Sequence, residues 1–85
     1  MTLKIERDLA GRIMTLRLIG HLQSEHLEAL HEQVITSGAR VVLDLEDVTL
    51  VDVDAVRFLA SSELDGVTLL HCSPYVREWL NRERK

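Results

Sequence analysis

The sequence is short of cysteine, of basic charge and of long apolar runs. Its one cysteine, Cys72, can form neither an internal disulfide nor a cysteine-rich zinc site. It ends the apolar run "GVTLLHC", where a buried, inert thiol is expected; the alternative is a thiol activated beside a helix N-terminus. No stretch approaches the roughly 18 apolar residues of a membrane span. The start, "MTLKIERDLAGR", alternates apolar and polar residues and has no signal-peptide core. Direct membrane insertion is therefore not expected, and the cytoplasm is the expected compartment. Ten Lys and Arg face fourteen Asp and Glu, for a net charge of −4. A sequence-independent nucleic-acid binder needs a basic field to displace counterions. The basic tail residues Arg77, Arg82, Arg84 and Lys85 are interrupted by Glu78 and Glu83, the pattern of a solvated helix end. No nucleic acid is expected as partner.

What is present is a globular chain. Apolar residues make up 46% of the 85, and charged residues 28%, well outside the disordered class. One domain over residues 1–85 is expected. "TLKIER" and "RIMTLRLIG" alternate, with Leu3 and Ile5 on one face of the first and Met14, Leu16 and Leu18 together on the second. Strands are predicted near 2–7 and 12–19, joined as a hairpin in which Gly11 can adopt positive φ. Ser24 can cap a helix over about 25–37, with Glu25 favourable in its first turn. Leu27, Leu30 and Val34 share one face of that helix, and Gly38 is its stop. "RVVLDLEDV" holds Val41, Val42, Leu43 and Leu45 in a nearly continuous apolar run, predicting a central strand near 40–46. The period then changes. Ala55, Phe58 and Leu59 recur at i, i+3, i+4 in a second helix near 54–64, closed by Gly66. A strand near 67–72 and a helix near 74–83 complete the chain. Ser73 is the predicted cap of that last helix, Pro74 its first residue, and Val76, Trp79 and Leu80 its buried stripe.

This order implies an α/β fold: a mixed four-stranded sheet with three helices. The N-terminal hairpin is antiparallel, and two right-handed strand–helix–strand crossovers make the last three strands parallel. The expected core includes Leu16, Leu18, Leu27, Leu30, Val42, Leu43, Phe58, Leu59, Leu69, Val76 and Leu80.

The segment that invites a chemical reading is "RVVLDLEDVTLVDVDAVRFL", in which an apolar run ends in Asp52 and Asp54. The Asp-x-Asp after a strand resembles the first motif of haloacid-dehalogenase-type phosphatases, which implies Asp52 as nucleophile and Asp54 as acid/base. That chemistry also needs a metal ion, a phosphate-binding lysine and further carboxylates. The stretch after Asp54 holds one lysine, the terminal Lys85, and no paired acids at a strand end. The histidines offer no metal motif. His26 and His31 lie five apart, about 140° around a helix, and Ile35 stands where a zincin would place its second histidine. The sequence also lacks a Ser–His–acid set and a Gly-rich phosphate loop. No catalytic residue, metal or other cofactor is expected. For the aspartates, helix capping is the plain physical role, worth roughly 0.5–2 kcal/mol.

Three segments in order resemble the STAS domain, the module shared by sulphate transporters and bacterial anti-sigma factor antagonists. "IMTLRLIGHL" is similar to the family's second strand with its Gly-x-Leu turn. "EALHEQVITSGARVVLDLEDVTLVD" resembles the helix, strand and "DLSGVTxxD" segment. "GVTLLHCSPYVREWL" resembles the late strand and the following helix. In the family, Asp-Ser-Ser-Gly leads into the second helix, and phosphorylation of the first serine by the anti-sigma kinase breaks the complex. Here the segment is Asp52, Val53, Asp54, Ala55. Val53 has no hydroxyl, so the position is a degenerate phosphosite.

The resemblance implies a non-catalytic protein-binding module. Its expected partner is an anti-sigma factor or a histidine-kinase-like regulator, and its expected surface is Leu50, Asp52, Val53, Asp54, Ala55, Arg57 and Ser61. Two alternatives stand beside it: a STAS subunit of a membrane transporter complex, and a small phosphatase using Asp52 and Asp54. A homodimer is left open, as is whether Asp54 mimics a phosphate.

Overall fold

The computed structural model describes residues 3–36, 38 and 40–83. Seven elements follow one another: β1 (Leu3–Ala10), β2 (Ile13–Leu22), α1 (Ser24–Thr36), β3 (Arg40–Val51), α2 (Val53–Leu64), β4 (Thr68–Leu70) and α3 (Pro74–Glu83). The sheet order is β1-β2-β3-β4. β1 pairs antiparallel with β2, and β2–β3 and β3–β4 pair in parallel. The expected mixed sheet with three helices is thus present. Thr2, Ser37, Arg84 and Lys85, to which the sequence reading gave places in elements or in the basic tail, lie outside the described residues.

The strands exist because their period-2 pattern buries one face. Met14, Leu16 and Leu18 of β2 and Val41, Leu43 and Leu45 of β3 are buried, joined by Leu69 of β4. The helices cover this face with Leu30, Val56, Leu59 and Leu80. Fully burying one such leucine is worth roughly 1.5–3 kcal/mol. Leu27, Val42, Phe58 and Val76 are only half-buried. Val42 is so because it alternates away from the helices, beside Thr15 and Thr68 in register. The opposite sheet face is polar. It carries Glu6, Thr15, Arg17 and Asp44 along a broad shallow groove.

Element ends depart from the sequence pattern. β2 and β3 run on to Leu22 and Val51, well past their predicted ends, because they stay paired through shifts at Arg17/Ile19 and Gly20/His21. Gly20 takes φ 109° there, which only glycine adopts without penalty. β4 is shorter than predicted, three residues against six. The cap at α1 also differs. The Ser24 N–H donates to Asp52 Oδ2 at 2.9 Å, and the preceding Gln23 N–H donates to His26 Nδ1 at 3.3 Å. The acceptors at this helix start thus come from Asp52 and His26, where the sequence reading gave the cap to Ser24. Ser73 does cap α3, its Oγ accepting from Val76 N–H at 3.2 Å.

Candidate functional site

The long β2–β3 pairing carries the chain to the site. His21 lies opposite Leu50 and Leu22 opposite Val51, and the Asp52 N–H donates to the Leu22 carbonyl at 3.4 Å. Asp52 then leaves the strand with φ −102° and ψ 178° and becomes the N-cap of α2. Its Oδ1 accepts from Ala55 N–H at 2.8 Å, and its Oδ2 accepts from Ser24 N–H. One carboxylate therefore ties together the starts of two helices, α1 and α2. Burial opposes the charge on Asp52, but the N–H groups of Ala55 and Ser24, with those of Asp52 and Asp54, outweigh it. They hold the carboxyl below its ordinary range.

With Asp52 turned inward, the outward surface belongs to its neighbours. Val53 opens α2 at 41% exposure and Leu50 precedes the turn at 52%. Asp54, Arg57 and Ser61 are exposed, and their i, i+3, i+7 spacing puts them on one stripe of α2. Arg57 is tied to α3, its Nε donating to Glu83 Oε1 at 3.0 Å. Ala55 is, with the inward-turned Asp52, an exception among the expected surface residues. It is fully buried in the core cluster, so its side chain offers nothing to a partner.

Two apolar residues adjoin this surface that sequence reasoning left out. Leu64 extends the α2 stripe at i+10 and is exposed, and Tyr75, also exposed, borders a groove of about 130 Å³ together with Leu50. An exposed leucine at the end of an outward stripe was a readable signal for the first. Tyr75 needs the contact between the β3 end and the α3 start, which no local pattern reveals.

The other candidates fall into structural roles. His31 stacks edge-on against Phe58 with ring centroids 6.5 Å apart, and His26 accepts at the α1 start. Cys72 is half-buried, and burial raises its thiol pKa, with Glu63 adding to the rise and Arg77 opposing it. It fits the inert thiol and not the activated one. Lys85, the lysine a phosphatase would need, lies outside the described residues.

No family model matches the sequence, and no curated protein matches it. Solved structures do. The anti-sigma factor antagonist SpoIIAA in its unphosphorylated form superimposes with a TM-score of 0.69 at 16% identity, over 94% of this chain and 82% of that one. The Bacillus cell fate determinant SpoIIAA in its phosphorylated form gives 0.66 at 20% identity, over 96% and 83%. A STAS domain of an antisigma-factor antagonist from Rhodobacter sphaeroides gives 0.62 at 20% identity, over 80% and 85%. The chain has the STAS-domain fold of these anti-sigma factor antagonists.

Proposed function

We propose that this chain is a non-catalytic protein-binding domain that works as an anti-sigma factor antagonist does, without a phosphorylation switch at position 53. Its partner is an anti-sigma factor or a histidine-kinase-like regulator, and its contact surface is Leu50, Val53, Asp54, Arg57 and Ser61. The observation that carries the reading is Val53, an exposed apolar side chain in the first turn of α2 on a fold shared with antagonists described in phosphorylated and unphosphorylated forms.

The geometry of Asp52 argues for binding over turnover. Both its oxygens accept backbone N–H groups, so a phosphatase nucleophile here would have to surrender the caps of two helices. A rigid cap, by contrast, suits a recognition surface, because it fixes the backbone of Val53 and Asp54 and so lowers the entropic cost of binding.

The test begins with co-purification from the native host and mass spectrometry. The regulator recovered is then titrated with wild type, Val53→Ser and Val53→Asp. Burying an unpaired charge in the contact should weaken Val53→Asp by at least about 10-fold to 100-fold, with Val53→Ser milder. Equal affinities for all three, with unchanged circular dichroism, would place the surface elsewhere. Recovery of a membrane transporter in place of a regulator would overturn the choice of partner.

A further inference from the structure

Asp44, Glu46 and His71 lie outside the surface described above, where β3 meets the end of β4. Asp44 and Glu46 stand two apart on β3, where the register with β2 shifts between Arg17 and Ile19. The register places Leu70 opposite Asp44, so His71 is the first residue past the paired strand. Leu69 is buried and Leu70 exposed; a continuing strand would turn His71 back towards the core. Instead His71 takes φ 55°, the one positive φ outside glycine among the described residues. Its imidazole Nδ1 comes to 3.0 Å from Asp44 Oδ1, which also accepts the Glu46 N–H at 3.0 Å. One donor atom from each of the three residues lies within 4.8 Å of the others.

We infer that Asp44, Glu46 and His71 form a binding site for a first-row divalent cation of the Zn²⁺ class, with at least one coordination position left to water. One imidazole nitrogen and two carboxylates are the donors such ions take, with three protein ligands and an open position a common arrangement. Charge points the same way. The nearby Arg17 is paired with Asp47, and among the described residues the Glu46 side chain makes no hydrogen bond or ion pair. Besides His71, the charge that reaches Asp44 is that of Arg17, which is shared with Asp47. A tetrahedral site needs donors roughly 3.3 Å apart; Asp44 is half-buried, and rotation of the exposed Glu46 and His71 side chains closes the remaining distance. The left-handed backbone at His71 is disfavoured for any residue with a Cβ, and such positions gather at ligand clamps.

The experiment is calorimetric titration of the whole chain with Zn²⁺ in chelator-free buffer, for wild type, Glu46→Gln and His71→Asn. Asparagine tolerates the left-handed backbone, and Glu46 is exposed, so both variants should keep the fold by circular dichroism. Wild type should bind one equivalent with a Kd below about 100 μM, and each variant should lose at least about 10-fold. Co²⁺ should shift amide resonances most strongly at residues 44–46 and 70–72. No binding up to about 1 mM, affinity retained by either variant, or shifts centred on His26 and His31 would each overturn the site.

Discussion

Two strand-to-helix junctions lie side by side at the C-terminal end of the parallel strands, and they are built on different principles. At β3–α2, Asp52 leaves the strand in extended geometry and shares its carboxylate between two helix starts. No residue there is strained, and the side chain left outside is apolar. At β4–α3, Ser73 caps one helix only, Pro74 sets the first turn, and the chain reaches them through a left-handed His71 held by Asp44. The first junction is a rigid mount for an exposed apolar residue, Val53. The second stores backbone strain beside ionisable groups. Similar positions in one fold are thus built differently, one around a shared helix cap and an exposed apolar side chain, the other around a cluster of ionisable groups.

The contrast breaks most sharply at Asp52. Asp52→Ala removes an N-cap, worth roughly 0.5–2 kcal/mol, and also removes the acceptor of the Ser24 N–H, an exposed bond worth at most about 1 kcal/mol more. A loss of about 2 kcal/mol is expected from urea unfolding, with Asp52→Asn intermediate because one acceptor oxygen remains. The pH dependence has a defined sign. The folded-state pKa of Asp52 is depressed, so its contribution is present above the unfolded value of about 3.9 and is lost as pH falls through the lower folded value. The stability gap between wild type and Asp52→Ala should therefore narrow below about pH 4. A gap that stays constant down to pH 2 would mean that the charge on Asp52 contributes nothing beyond its shape.

Ser73→Ala is the matching change at the second junction and should cost less, about 1 kcal/mol or below. Only one N–H loses its partner, and Pro74 keeps the first turn preorganised without a donor of its own. If Ser73→Ala proved as costly as Asp52→Ala, sharing one carboxylate between two helices would bring no extra stability, and the distinction between the junctions would fail.

The two junctions also differ in how far they could be read in advance. A cap at Asp52 or Asp54 followed from their place between an apolar run and a change of period, and the structure gives it to Asp52. Leu16, Leu18, Leu59 and Leu80 were legible as core because each sits on a repeat that only one element satisfies, and Leu43 because it lies in a nearly continuous apolar run. What escaped was set by distant pairing. The second role of Asp52, on Ser24, needs the β2 and β3 ends side by side. The last residues of β3 are strand because β2 runs on beside them; Asp47, Val48, Leu50 and Val51 all have β2 partners, although Glu46 and Asp47 break the apolar pattern. The group at Asp44, Glu46 and His71 joins Asp44 to a residue 27 positions on, and a search of helical histidine spacing could not meet it. Ala55 was assigned to the surface because its motif position was followed; its small side chain in a helical i, i+4 relation to Leu59 already pointed inward.

The smallest effect concerns Arg57, and it decides how the contact surface is bounded. Arg57 is exposed, yet its Nε is engaged by Glu83, whose side chain is 24% exposed. If the pair serves mainly to hold α3 against α2, Arg57→Ala and Glu83→Ala should each cost a few tenths of a kcal/mol, the usual size for an ion pair with a solvent-exposed member. The double variant should then show a coupling of about 0.2–1 kcal/mol. Partner affinity gives the other half of the argument. A guanidinium has five donors, so binding Glu83 through Nε leaves others for a partner. Arg57→Ala should then weaken binding by more than Glu83→Ala, which removes the tether and keeps the cation. Equal losses in both would show Arg57 acting only through α3. In that case the surface would end at Val53 and Asp54, and the recognition patch would lie on the first turn of α2 alone.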